Sequence, residues 1–262
     1  SEHGVWVFRR VSNYKDILAK IDQGMIGKTF TANNWDVNHQ NAFQAIDELI
    51  DICLILSFLT AKCVTPTDAT AGSALHFVGN PPDKFIRPRA IVGFPQLQEN
   101  LDLTALFKDG MEEIRSRMQE GKLRLSLCHW ISGLTSLSLE DIFVWATVQM
   151  DIVRLCESER LNCPCLSYYD GCKEASKRLH LRQLPKAFKQ MRTDLIHEGK
   201  LSGTNFPKKT KDECAAVVAK TMSWIDLYVL KVLGMANILK PPKRWSQKVL
   251  LEGMPSITLA HS

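Results

Sequence analysis

The segment Arg192-Thr193-Asp194-Leu195-Ile196-His197 places a guanidinium, a carboxylate and an imidazole close together in the chain. Those three groups are enough for metal-independent cleavage of RNA. The reaction needs a base for the 2′-hydroxyl proton, an acid for the leaving oxygen, and a fixed cation for the charge that grows on the phosphoryl oxygens. An imidazole titrates near neutrality and can do the proton work. A guanidinium stays charged and forks onto two oxygens. On this reading Arg192 stabilises the phosphate, His197 is the acid/base, and Asp194, three residues before it on nearly the same helix face, orients the ring.

These residues must be held by a helix. Leu184, Phe188, Met191 and Leu195 recur at spacings of 4, 3 and 4, which predicts an amphipathic helix from Leu184 to about Glu198, ended by Gly199. The helix raises a geometric problem. Arg192 and His197 leave a regular helix about 140° apart and roughly 7.5 Å apart along its axis. Two arrangements would overcome this: the helix loosens before Gly199, or two copies pack about a two-fold axis and line one cleft.

Charge supports an anionic partner. The whole chain carries +5, yet Lys173 to Lys211 alone holds 11 Lys and Arg against 3 acids, a local +8 that leaves the remainder slightly acidic. Lys186 and Lys189 lie on the polar side of the motif helix, and Lys200, Lys208, Lys209 and Lys211 follow it. They are candidates for gripping an RNA backbone, with strong salt dependence and little sequence preference. The competing explanation is a solvated, charge-rich surface.

Other patterns carry less. Cys163-Pro-Cys165 with Cys172 has a tight spacing and no clear fourth ligand, His180 being the nearest, so it reads as a loop and no metal is expected. His39, His76, His129 and His180 stand alone. No phosphate-binding glycine loop or nucleophile elbow is present, and no cofactor is expected.

Around the motif the pattern is helical. Asn13 to Gln23 predicts a short helix after an extended start, and Asp36 to about Lys62 a long one through Phe43, Ile46, Leu49, Ile50, Cys53 and Leu54. Residues 64–74 read as a loop. Leu75–Val78 and Phe85–Phe94 flank Asn80-Pro81-Pro82-Asp83 as a small β-hairpin. Helices are predicted over Leu101 to about Gln119, Lys122–Ile131, from the cap Ser138 to about Glu157, and Tyr168–Leu181. Thr210-x-x-Glu213 is a capping box opening a helix to Gly234, and Pro241-Pro242 begins a tail with little pattern. The fold class is all-α: an antiparallel bundle with a hairpin insertion near 75–94, core helices near 36–62 and 139–234, and a tail over 238–262, all in a single domain 1–262.

The composition, 45% hydrophobic and 23% charged, can bury one sizeable core without staples. Most of the 8 Cys fall in apolar helical runs, no secretory signal is visible, and the longest apolar stretch, Leu49–Ala61, is interrupted by Asp51. A reducing, cytoplasmic setting without membrane insertion is expected.

The pattern Arg-x4-His-Glu-Gly at a helix end, between two amphipathic helices, resembles the HEPN superfamily (higher eukaryotes and prokaryotes nucleotide-binding domain). The likeness covers mainly residues 139–234, with the 36–62 helix as a bundle partner. It implies a helical bundle, metal-independent endoribonuclease activity centred on Arg192 and His197, a homodimer, and service as a toxin or antiviral effector under an antitoxin or other regulatory protein. It equally accommodates a non-catalytic module that binds RNA, a nucleotide or a protein.

Overall fold

The computed structural model describes residues 6–22, 30–34, 40–60, 64, 69–71, 75–77, 107, 110–133, 136, 138–236 and 245–252. The elements are β1 (Val7–Arg10), α1 (Tyr14–Asp22), β2 (Phe30–Asn33), α2 (Ala42–Thr60), β3 (Ala69–Ala71), β4 (Leu75–Phe77), α3 (Met111–Glu120), α4 (Leu123–Gly133), α5 (Leu139–Leu161), α6 (Tyr168–Arg178), α7 (Lys186–Glu198), α8 (Lys211–Val232) and α9 (Gln247–Glu252). The fold is an all-α bundle carrying short antiparallel strand pairs, β1 with β2 and β3 with β4.

The bundle is organised around α5, which packs on α4, α6, α7 and α8, while α2 lies against α4 and α9 against α8. Helices α2 to α9 each contribute apolar residues to one core. Phe58, Trp130, Phe143, Phe188 and Tyr228 are fully buried, and the rings meet edge to face, Phe58 on Trp130 at 5.0 Å and Phe143 on Phe188 at 5.6 Å. Helix α5 approaches α6 closely at Gly171, where a β-carbon would stand 2.7 Å from the Arg154 Cα.

Buried polar groups tie the helices together. Asp226 on α8 has no exposed surface and accepts from the indole N–H groups of Trp130 at 3.0 Å and Trp245 at 2.9 Å. Buried Asp51 on α2 accepts from Arg115 of α3 at 3.1 Å and Arg124 of α4 at 2.7 Å. Arg117 of α3 donates to the Leu233 carbonyl at 3.1 Å, satisfying one of the open carbonyls at the end of α8.

Helix ends follow local chemistry. Ser138 accepts from the Asp141 N–H, and Thr210 forms the capping box with Glu213. Thr210→Ala is expected to cost about 1 kcal/mol in urea denaturation, since it strips the oxygen that receives the Glu213 N–H. Helix α5 runs to Leu161, beyond the expected Glu157, because buried Glu157 binds Arg160 from within the extra turn and Arg178 from α6.

Several boundaries differ from the sequence expectation. The expected helical stretches over 36–39, 101–106 and 108–109 lie outside the described residues; within them α2 starts at Ala42, after a turn at Gln40–Asn41, and α3 at Met111, after Gly110 at φ +80°. That backbone region favours glycine and interrupts a helix. The hairpin pairs Leu75–Phe77 with Ala69–Ala71, inside the stretch read as a loop. The Phe85–Phe94 strand lies outside the described residues. Residues 245–252 are not patternless: Trp245 and Leu250 are buried, and α9 packs on α8. Among the described residues, no helix is long and apolar enough to cross a membrane.

Candidate nucleic-acid interface

Helix α7 carries the motif. Phe188, Met191 and Leu195 bury one side of it, leaving Lys186, Lys189, Ile196 and His197 on the exposed side. Arg192 borders the buried stripe and is 23% exposed. Its Nη2 donates to Asp151 Oδ2 of α5 at 3.2 Å, and its guanidinium carbon lies 4.0 Å from the centre of the Tyr168 ring on α6. Such stacking on an aromatic face holds a guanidinium while leaving N–H groups at its edges. The Arg192 Nε is buried without a hydrogen-bond acceptor among the described residues. Burial pushes the Tyr168 phenol above its ordinary pKa, and the neighbouring guanidinium pulls the other way.

His197 stands exposed in the last turn of α7. The helix stays regular through Glu198. The Gly199 N–H bonds to the Leu195 carbonyl at 3.1 Å, and Gly199 closes the helix at φ +69°. The loosening that would swing His197 round toward Arg192 does not occur. Within one chain the two groups therefore diverge by about 140°, and a single α7 does not focus both on one phosphate.

Asp194 does different work from the role the sequence suggested. It is fully buried, and its carboxylate faces the loop after the helix rather than the His197 ring. It accepts from the backbone N–H groups of Gly203 at 2.9 Å, Asn205 at 2.8 Å and Phe206 at 2.7 Å, and from the Asn205 amide at 2.7 Å. Burial resists its ionisation, but the hydrogen bonds from Asn205, Phe206 and Gly203 outweigh it and hold the carboxyl below its ordinary pKa. One turn on, Glu198 accepts from the Thr204 N–H at 2.9 Å, a bond that lowers its pKa too, and pairs with Lys200 at 3.1 Å. Asp194 and Glu198 thus form an i,i+4 clasp on residues 203–206. Gly203 fits the clasp because a β-carbon there would lie 2.6 Å from a Glu198 carboxylate oxygen.

The six lysines are all exposed. Lys209 pairs with Glu213 at 2.8 Å and lies 5.5 Å from the Phe206 ring centre, and Lys189 lies 6.0 Å from that of Tyr169. Lys186, Lys208 and Lys211 have no ion-pair partner among the described residues. Sequence reasoning missed Asp151 and Tyr168 as the seat of Arg192, since both come from other helices. It also missed the clasp, whose visible signal was the Asp194–Glu198 spacing before Gly203-Thr204-Asn205. No family model, no curated protein and no solved structure matches the chain.

Proposed function

We propose that the α7 end of the molecule binds the backbone of single-stranded RNA, on a bundle of the HEPN type. The clasp carries this reading. Asp194 and Glu198 fix the loop against the helix, so Lys200, Lys208, Lys209 and Lys211 stand at set positions beside Lys186 and Lys189 instead of on a wandering strand. Cations pre-arranged along a ridge lose little freedom when a phosphate chain arrives. They contact phosphates without reading bases. The test is fluorescence anisotropy of a labelled single-stranded RNA over a salt series. Lys208→Gln with Lys211→Gln is expected to weaken binding and to flatten the slope of log affinity against log salt by about 1.4, two lost phosphate contacts. A slope unchanged in that double variant refutes the surface.

A second reading, a metal-independent endoribonuclease, is favoured by one specific observation. His197 is exposed with no side-chain partner among the described residues, and the Arg192 side chain, though paired with Asp151, is 23% exposed. Both groups remain available to a substrate, and a second copy would have to bring its own α7 to complete the site. The same RNA incubated with the protein and a chelator decides between the two. Fragments lost on His197→Ala support the enzyme, and with it a toxin or defence role under a regulatory partner. Intact RNA leaves the binding module.

A further inference from the structure

We infer that Cys163 and Cys165 form a two-thiolate site for a thiophilic closed-shell cation of the zinc and cadmium class. Their sulfurs lie 3.8 Å apart at the surface, between α5 and α6. Two thiolates bound to one tetrahedral zinc ion, each at about 2.3 Å, stand about 3.8 Å from each other. The loop holds the two thiols in S–H···S contact, a separation that one tetrahedral cation bound to both would also require.

The loop is fixed at both ends. Asn162 ends α5 in the left-handed region at φ +49°, and the Cys163 N–H bonds to the Ser158 carbonyl at 2.9 Å. The Cys163 carbonyl accepts from the Ser158 hydroxyl at 2.5 Å and from the Leu166 N–H at 3.2 Å. Ser167 then caps α6 through the Asp170 N–H at 3.2 Å. Pro164 restricts the backbone between the two sulfurs. A cation arriving here meets two soft ligands already in place. Cys53, Cys156, Cys172 and Cys214 are buried, and exposed Cys128 sits on another helix.

Among the described residues no third His, Cys, Asp or Glu joins the pair. The chain supplies half of a tetrahedral shell, and water or a small thiol supplies the rest. In the sequence alone, the tight Cys163-Pro164-Cys165 spacing and the absence of a clear fourth ligand argue against a metal. Binding exchanges two S–H protons, released to solvent, for two metal–sulfur bonds, while the cation sheds two waters. No electron moves. Because each thiol must give up its proton to bind, affinity rises with pH.

Cadmium is the probe, titrated anaerobically into the whole chain with a non-thiol reductant and followed by the thiolate-to-cadmium charge-transfer band. One cadmium per chain is expected, competed by zinc, lost in Cys163→Ser and in Cys165→Ser, and kept in Cys128→Ser. No band at saturating cadmium, or a band that survives both serine variants, overturns the site. Circular dichroism of the two variants is expected to match the parent. A collapse of helical signal would make the sulfurs structural and likewise overturn the proposal.

Discussion

Asp194→Ala lowers the melting temperature by roughly 10 °C, on the expectation that it removes about 3 kcal/mol from a chain of this size. The carboxylate is fully buried and receives four hydrogen bonds from Gly203, Asn205 and Phe206. Alanine leaves three backbone N–H groups without their acceptor; that of Phe206 is buried, and an unsatisfied buried donor costs on the order of 1–3 kcal/mol. Asp194→Asn is expected to fall between, because one carboxylate oxygen becomes an NH2 that cannot accept. The folded pKa lies below the unfolded value of about 3.9. The unfolded chain therefore takes up the proton first: the stabilisation is complete above that value and is lost as pH falls through the folded pKa. Parent and Asp194→Ala melting curves, recorded down a pH series, should separate near neutrality and draw together in acid. A constant gap refutes the assignment.

Asp226→Ala is expected to be at least as damaging, by about 4 kcal/mol in chemical denaturation. Its two oxygens receive the indole N–H groups of Trp130 in α4 and Trp245 before α9. Truncation strands both donors and opens space between rings that lie 6.3 Å apart. Asp226→Asn can still accept one indole and should recover about half of the loss. If the alanine protein unfolds at the parent midpoint, Trp245 is not anchored through this carboxylate. Loss of Trp245 fluorescence burial before global unfolding would locate the damage to the C-terminal segment.

The bundle was legible because its signals are local. The stripe Phe188-Met191-Leu195, the Ser138 cap and the Thr210–Glu213 box each act within a turn or two of helix, and each is realised. What escaped depends on pairing across distance. Phe30–Asn33 becomes a strand only through Val7–Arg10, and Trp245 gains its meaning only from Asp226. The same division holds at the α7 end. Helical spacing correctly placed Lys186 and Lys189 on the polar side, but could not tell which way Asp194 would turn. A carboxylate three residues before a histidine suggests its partner in the sequence. Three nearby backbone N–H groups in the following loop offered more hydrogen bonds than one exposed ring.

The near-contact between Gly171 and the Arg154 backbone reaches into the motif itself. Tyr168, one helical turn before Gly171, is the stacking floor for Arg192, and Asp151, three residues before Arg154, is its acid partner. Both jaws of that vice are set by a side chain that is not there. Any methyl at 171 would wedge the two helices apart and widen the grip on the guanidinium, although neither Arg192 nor anything it touches had been altered.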